Sequence, residues 1–318
     1  MSHTLQVFQT VLAFATVVLL CVLLKKLAVI KEEHGPLFAR LLTQVALPVV
    51  IFTQLATHPI AGRQLLLVLA MIVAGTICLA VAWVAGRIMK LERPKIGALM
   101  LVSAFGSSAL IGYPLIQYAF PNNPQAMHDA ILVSELGVGL PIFTLCVWVA
   151  MYFGKDFGDA SKDRRRALLG YFRSPIFIAL AAGLLISPLG LNPQQPMLAP
   201  FFQASHMVSE SITLLSCLIL GLQLDLRSVR GIVPLVIISA GIQMFLQPWL
   251  ADVQATLYRL SLEQRQVLVL ESAMPSAILN SVFATRYHCA PQLTSALIFL
   301  NILLSLISIP LVFAVLCG

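Results

Sequence analysis

Ten apolar runs occupy most of this 318-residue chain, and their lengths suit membrane-spanning helices. A helix needs about 20 mostly apolar residues to cross a bilayer. Charged residues make up only 10% of the chain, whereas they make up about 25% of an average soluble domain. The sequence therefore predicts an all-α membrane protein and excludes a water-soluble enzyme. The runs are Leu5–Leu24, Leu37–Thr57, Gln64–Met89, Ile96–Phe120, Ala130–Phe153, Ser174–Leu191, Met197–Gln223, Ile232–Leu250, Gln266–Thr285 and Gln292–Cys317.

A polar, basic stretch divides the runs into two groups of five. Five spans in each half would place the second half upside down relative to the first, which is the arrangement of inverted-repeat transporters. We therefore expect a first five-helix repeat over residues 1–153, a basic cytoplasmic loop over residues 154–173, and an inverted repeat over residues 174–318. We read the basic residues of the loop as topology signals, with a lipid headgroup contact as the alternative.

The distribution of basic residues supports ten spans. If the N-terminus lies outside, alternating loops place 17 of the 20 Lys and Arg residues on the cytoplasmic side, and only Arg63, Arg259 and Arg265 outside. Cytoplasmic loops of membrane proteins usually carry the excess of basic residues. The sequence therefore predicts that both termini lie outside. The net charge of +7 then reflects topology, and no nucleic-acid partner is expected.

Two runs contain helix-breaking residues at corresponding places in the two halves. The fourth run includes the segment from Ser103 to Pro114 (SAFGSSALIGYP), and the ninth includes the segment from Glu271 to Ser281 (ESAMPSAILNS). Proline removes a backbone donor, and an interrupted helix survives in a bilayer only where it lines a protein or water cavity. Paired interruptions in inverted repeats indicate a substrate site. The alternative is a pair of ordinary proline kinks.

The expected substrate site consists of small and polar residues around these interruptions. No Lys or Arg lies in the middle of a run, so an anion would be held by hydroxyl and amide donors and by the half-helices that begin after Pro114 and Pro275. Small carboxylates or weak organic acids fit this arrangement, and a neutral solute remains open. The candidate substrate-binding residues are Ser107, Ser108, Gly112, Tyr113, Pro114, Pro275, Ser276 and Asn280.

Three further residues are candidates for coupling transport to an ion. A carboxyl group inside a membrane is costly and usually serves an ion or proton path. Glu271 lies one turn before Pro275 with Ser272 beside it, and Glu135 lies in the fifth run. We expect H⁺ or Na⁺ as the coupling ion, no other cofactor, and Glu271 as the candidate Na⁺ ligand. A carboxyl group neutralised by a neighbouring helix is the alternative.

Other function classes are less well supported. The chain lacks the nucleophile-elbow, zinc-protease, P-loop and dinucleotide motifs, so we do not expect an enzyme. A membrane-embedded enzyme would need a nucleophile–base pair, for which Ser276 and His206 are the available combination. A receptor that binds a ligand without moving it is a third reading. His206 and Glu210 lie four residues apart, which a structural or pH-sensitive contact explains as well as transport does.

Several segments resemble the auxin efflux carrier family, whose bacterial members include malonate and malate permease-like proteins. The segment Leu42–Leu55 with Pro48 resembles its second helix, and the stretch from Gly106 to Pro114 resembles its first crossover motif. The stretch from Met274 to Tyr287 resembles its second crossover, and that from Ser305 to Leu311 its last helix. This family belongs to the bile/arsenite/riboflavin transporter superfamily, and the likeness covers nearly the whole chain.

The resemblance implies a fold and a mechanism. It implies a sodium/bile acid symporter-like fold with crossed broken helices 4 and 9. Helices 1, 2, 6 and 7 would form a scaffold that pairs in a homodimer, and helices 3–5 and 8–10 a transport bundle that moves like an elevator. It implies a secondary transporter or efflux carrier of small organic anions in a bacterial cytoplasmic (inner) membrane.

Ser107 stands where family members usually carry Asn, and Asn280 is slightly displaced from the usual ninth-helix Asn. Glu271 falls where bile acid sodium symporters, which look similar, keep a sodium-ligating Glu.

Overall fold

The computed structural model describes residues 3–57, 62–121, 123–154, 169–170, 172–223 and 232–317. This part of the chain is helical, and its extended backbone contact is an isolated antiparallel bridge between Gly106 and Ser276. The principal helices in the described part are α1 His3–Lys26, α2 Gly35–Thr57, α3 Gly62–Ile88, α4 Arg93–Ala104, α5 Tyr113–Ala119, α6 Pro124–Phe153, α7 Pro175–Ile186, α8 Ala199–Gln223, α9 Val233–Leu257, α10 Leu262–Ser272, α11 Leu279–Arg286 and α12 Pro291–Cys317.

Seven of these helices are long and apolar enough to cross a membrane, as judged by length and composition. They are α1, α2, α3, α6, α8, α9 and α12. The sixth run forms the shorter apolar helix α7, and the fourth and ninth runs are each split into two short helices, α4 with α5 and α10 with α11. The fold is therefore that of a multi-pass helical membrane protein.

Four prolines are accommodated inside continuous helices by widened turns. A proline cannot donate to the carbonyl four residues earlier, and its ring clashes with that carbonyl. Here a π-helical segment, whose hydrogen bonds reach back five residues, ends two residues before each of these prolines. These prolines are Pro48, Pro114, Pro141 and Pro248, and the segments are Leu42–Ala46, Ser108–Gly112, Val133–Gly139 and Ile242–Leu246.

This arrangement corrects the expected position of the first interruption. Pro114 does not break its helix, because the π-helical segment Ser108–Gly112 runs directly into α5. The backbone leaves helical geometry at Phe105–Ser107 instead, directly after α4 ends. In the ninth run the interruption does contain the expected proline, since α10 ends at Ser272 and α11 begins at Leu279 with Pro275 between them.

The helices pack around two buried apolar clusters. One cluster joins α2, α7 and α8, with side chains from α3, α5 and α6 at its edge. The other joins α1, α3, α4, α6, α9, α10 and α12. Helix α2 packs along α7, α1 packs along α8, and α3 packs along α4. Residues of the fourth run belong to both clusters, and those of the ninth run belong to the second.

Part of the predicted topology signal falls outside the described residues. This applies to most of the basic loop over 154–173, including Lys162, Arg164, Arg165 and Arg166, and to Arg227 and Arg230.

Candidate substrate site

The two interruptions face each other and share backbone hydrogen bonds. The backbone N–H of Ser107 donates to the carbonyl of Pro275 at 2.7 Å, and the N–H of Ala277 donates to the carbonyl of Phe105 at 3.1 Å. A broken helix inside a membrane protein needs internal partners for its freed peptide groups. Each interruption supplies some of these partners to the other, so the fourth and ninth runs cross at this point.

The close approach of the two segments depends on Gly106. A Cβ atom at this position would lie 2.7 Å from the carbonyl oxygen of Met274 and 2.9 Å from its Cβ. Gln243 on α9 donates from Nε2 to the same Met274 carbonyl at 3.1 Å. The carbonyl at the end of α10 is thus held in place by an amide, and only glycine fits opposite it.

Asn280, a predicted substrate ligand, hydrogen-bonds the end of α4. Its Nδ2 donates to the carbonyl of Leu101 at 2.7 Å, and Leu101 lies in the last turn of α4, where carbonyls lack partners within the helix. The side chain is fully buried, and its Oδ1 has no hydrogen-bond partner among the described residues. Its amide nitrogen therefore has a structural partner already.

A cavity of about 330 Å³ lies beside the crossing, and we call it the central cavity. The residues from Ser107 to Leu110 and those from Ala277 to Leu279 line it. These stretches begin the second half of each interrupted helix. The first N–H groups of a helix lack partners within it and carry a partial positive charge. The central cavity is therefore bordered by the N-terminal ends of two half-helices.

The remaining lining of the central cavity is apolar except for Thr43, Ser134 and Glu135. Glu135 and Ser134 of α6 line it together with Ser108, and no Lys or Arg does so in the described part of the chain. Ser134 and Ser108 share a hydrogen bond of 2.9 Å between their hydroxyls. The Tyr113 hydroxyl donates to Glu135 Oε1 at 2.7 Å. The cavity thus offers hydroxyls and a carboxyl group. Its apolar walls include Leu42, Leu47, Ile142, Ile176, Ile219 and Val282.

Glu271 is buried without a hydrogen-bond partner. The residue is fully buried, and neither carboxyl oxygen has a partner among the described residues. The carboxyl group lies against Gly112, where a Cβ atom would come within 2.5 Å of Oε1 and 2.7 Å of Oε2. An unpaired carboxylate in such a place is strongly disfavoured, so a proton or a cation would have to neutralise it.

The structure brings only some of the eleven predicted site residues into one place. Ser107, Ser108 and Glu135 line the central cavity, and the other eight do not. Ser272 donates its hydroxyl to the carbonyl of Val269 within α10. The remaining residues lie around the crossing, and their roles stay predictions. They are Gly112, Tyr113, Pro114, Pro275, Ser276, Asn280 and Glu271.

A second cavity of about 290 Å³, which we call the distal cavity, lies at the other end of α5. His206 lines it, and His206 Nδ1 lies 3.6 Å from Glu210 Oε1 with both side chains largely exposed. Ser276 is fully buried at the crossing, and its hydroxyl has no hydrogen-bond partner among the described residues. The nucleophile–base pair that an embedded enzyme would need is therefore not formed between these two residues.

A buried polar cluster between α3 and α6 was not anticipated from the sequence. Gln64 Nε2 donates to Asp129 Oδ1 at 2.6 Å and lies 2.9 Å from His128 Nδ1, and Gln125 Nε2 also donates to Asp129 at 2.9 Å. Spacing along one helix gave no signal for it, because Gln64 lies on a different helix. Within the described residues, no three His, Cys, Asp or Glu side chains are grouped to hold a metal.

A multi-pass helical protein with a cavity at two crossed, interrupted helices has the architecture of a membrane transporter. The comparison with known families agrees. The family model described as "Membrane transport protein" matches residues 6–157 and 160–313, so the chain belongs to this family, the auxin efflux carrier family. The resemblance noted in the sequence is thereby confirmed.

Two archaeal relatives cover nearly the whole chain. An uncharacterized transporter of Methanothermobacter thermautotrophicus is 28% identical over 305 residues, which are 95% of this chain and 96% of the relative. An uncharacterized transporter of Methanocaldococcus jannaschii is 27% identical over 293 residues, which are 90% of this chain and 91% of the relative. Family and relatives both indicate an integral membrane transporter.

Proposed function

We propose that this protein is a secondary active transporter of small organic anions, such as carboxylates or weak acids, coupled to H⁺ or Na⁺. The observation that carries the proposal is the central cavity, where the N-terminal ends of two half-helices meet a carboxyl group. The half-helix ends favour negative charge, and the carboxyl group favours a proton or a cation.

The proposed topology has ten spans in two inverted repeats. It requires the short helix α7 and the two broken pairs, α4 with α5 and α10 with α11, to cross the membrane as well as the seven longer helices. The distribution of basic residues supports it, with the end of α5 and the start of α8 on the outer side of the cytoplasmic membrane. The crossing of the two interrupted helices is also what inverted repeats of this kind would produce.

The acidic lining of the cavity bears on coupling. An anion entering beside Glu135 would be repelled by an ionised carboxylate, since no basic side chain among the lining residues offsets it. We propose that the substrate binds when Glu135 carries a proton or when a Na⁺ ion lies between Glu135 and the substrate. Glu271 would bind a coupling proton or cation as well, because its buried carboxyl group also requires neutralisation.

The proposed motion is an elevator-like movement of one helix group against the other. The central cavity is lined on one side by α2, α7 and α8, through residues such as Leu47, Ile176 and Ile219, and on the other by the interrupted helices and α6. A substrate bound there would travel with the interrupted helices. The helices α1, α2, α7 and α8 would form the fixed scaffold.

A neutral or cationic solute is the second candidate. Glu135 is the charged residue that lines the central cavity in the described part of the chain, and a cation would pair with it directly. The two candidates differ in a binding experiment with labelled ligands of matched size, in which an amine would bind and a carboxylate would not if the cation were the substrate.

The deciding experiment is uptake into proteoliposomes. Labelled mono- and dicarboxylates are supplied under an imposed pH gradient, an imposed Na⁺ gradient, or neither. We expect one gradient to drive accumulation of at least one carboxylate. Counterflow without a gradient would separate a transporter from a receptor, which binds its ligand but does not exchange it. No uptake or counterflow of any carboxylate would contradict the proposal.

Coupling is tested by Glu271→Gln, with Glu263→Gln as the matched control on the same helix. The amide keeps the shape of the side chain but does not gain or lose a proton and binds Na⁺ less well. We expect Glu271→Gln to abolish gradient-driven accumulation while the protein stays folded. Glu263 lies in the first turn of α10 and is only half-buried, so its variant should resemble the parent. Unchanged gradient dependence in Glu271→Gln would remove this residue from the coupling mechanism.

We also propose that the scaffold forms a homodimer within the lipid bilayer. Helix α1 presents exposed apolar side chains along its length, including Phe8, Leu12 and Leu19, which must contact either lipid or a second copy. Cross-linking of a cysteine at position 12 between two copies would support the dimer. A single-copy mass in detergent and in nanodiscs would contradict it.

A further inference from the structure

Four helical segments line both the central and the distal cavity. On α2, Leu47 lines the central cavity and Val50 lines the distal one. In the fourth run, Leu110 lines the central cavity and Tyr113 lines the distal one. Three residues of helix correspond to about 4.5 Å. On these two segments the wall between the cavities is therefore less than one helical turn thick.

On the other two helices, α6 and α8, one residue lines the distal cavity and another residue farther along the helix lines the central one. On α6, Met127 lines the distal cavity and Ser134 the central one, and on α8 the corresponding residues are Ile212 and Ile219. Seven residues correspond to about 10 Å. The two cavities are thus arranged end to end, and the wall between them measures from less than one helical turn to about two turns, depending on the segment.

Tyr113 lies in this wall. It is 1% exposed and belongs to the same apolar cluster as Val50, Ile131 and Ile212. Tyr113 lines the distal cavity, while its hydroxyl donates to Glu135, which lines the central cavity. One residue therefore borders the distal cavity and contacts the lining of the central one, and the hydrogen bond to Glu135 restrains its side chain.

We propose that Tyr113 is the barrier residue that closes the central cavity towards the outer side, and that its hydrogen bond to Glu135 keeps it closed. This role differs from the direct substrate contact expected from the sequence. The assignment of the distal cavity to the outer side rests on the proposed ten-span topology. A solute in the central cavity can reach the distal cavity only when the Tyr113 ring leaves its position.

The barrier is tested by labelling a cysteine in the central cavity from outside. The reporter is Ser107→Cys, placed in a parent whose Cys317, the least buried native cysteine, is replaced by Ser. Right-side-out vesicles are treated with a membrane-impermeant thiol reagent, and the labelling rate is measured for the parent and for Tyr113→Ala, Tyr113→Phe and Tyr118→Ala. Tyr118 lies on the same helix and is 53% exposed, which makes it the matched control.

The expected results are graded. Tyr113→Phe keeps the ring but loses the hydrogen bond, so outside labelling should rise about three- to tenfold, the shift expected from losing one such bond. Tyr113→Ala removes the ring as well and should exceed this. Tyr118→Ala should label like the parent. Glu135→Gln keeps an acceptor oxygen for the Tyr113 hydroxyl and should change the rate little.

Three outcomes would overturn the proposal. The first is unchanged outside labelling in both Tyr113 variants, with size-exclusion profiles that show folded protein. The second is an equal increase in Tyr118→Ala, which would indicate general loosening of the helix. The third is an increase from the cytoplasmic side instead, which would place the barrier on the wrong face. Labelling needs no substrate, so failure of every carboxylate in the uptake experiment would leave this result intact.

Discussion

Replacing Gly106 with alanine tests the crossing of the interrupted helices most directly. The new Cβ would lie 2.7 Å from the carbonyl oxygen of Met274, and this oxygen belongs to the backbone of the opposite interruption. The carbonyl cannot rotate away freely, because it also accepts a hydrogen bond from Gln243. The clash can be relieved only if the two segments move apart.

The expected loss in the free energy of unfolding of Gly106→Ala lies in the upper part of the range measured for overpacked protein interiors. Extra methyl groups in a well-packed interior cost about 1–3 kcal/mol of the free energy of unfolding. Because the contact is with a fixed backbone atom, we expect about 2–3 kcal/mol. A change of 1 kcal/mol shifts the melting temperature by roughly 2–4 °C in a protein of a few hundred residues. Gly106→Ala should therefore melt several degrees lower than the parent.

The assay is thermal unfolding of detergent-purified protein at one scan rate, with Gly241→Ala as the matched control. Gly241 is a helical glycine whose Cβ would meet nothing within 4 Å, so alanine there should be neutral or stabilising by about 0.5–1 kcal/mol. The reasoning is refuted if the two variants melt at the same temperature. It is also refuted if Gly106→Ala melts like the parent, because the close approach at Met274 would then not exist.

Two further substitutions separate structural from functional roles. In Gly112→Ala the new Cβ meets the carboxyl end of Glu271, and because this side chain can turn away, we expect a melting temperature near that of the parent. Gradient-driven uptake should nevertheless fall about tenfold or more, because the coupling group is displaced. Unaltered uptake would contradict this. In Asn280→Ala the buried carbonyl of Leu101 loses its donor, which should cost about 1–3 kcal/mol of the free energy of unfolding and lower the melting temperature measured without substrate. An unchanged melting temperature would show that this hydrogen bond does not stabilise the end of α4.

The ninth run shows how far sequence reasoning reaches. Its interruption was predicted from Pro275 and the small residues around it, and α10 and α11 are separated at that position. No π-helical segment precedes Pro275, and the small residues beside it form backbone hydrogen bonds with the opposite interruption. Proline alone does not end a helix in this protein, because Pro310 lies inside the continuous helix α12.

The fourth run shows where sequence reasoning stops. Pro114 looked like the breaking residue, but the π-helical segment before it lets the helix continue. The break lies at Phe105–Ser107, where the opposite segment supplies backbone partners and where Gly106 allows it to approach. Those partners are more than 160 residues away in the sequence, so periodicity and composition could not locate them.

Side-chain roles were harder to predict than helix positions. Tyr113 and Glu135 were both selected from the sequence, but for different functions, and nothing in their spacing indicated that they bond each other. Asn280 was selected as a substrate ligand because its amide can donate to an anion, and the structure shows that its nitrogen also donates to the carbonyl of Leu101 at the end of α4. A residue type indicates what a side chain can donate or accept, and only the fold decides which partner it has.

The interruptions connect stability with transport in this protein. Each one frees peptide groups, and the crossing satisfies only part of them, through two backbone bonds and the amides of Gln243 and Asn280. The half-helices that follow the two interruptions begin at the central cavity, so their first N–H groups border it. A solute that accepts hydrogen bonds there would complete what the crossing leaves unsatisfied, so its binding should stabilise the folded protein. If the proposed anion binds there, the backbone groups freed by the interruptions would contribute to its affinity.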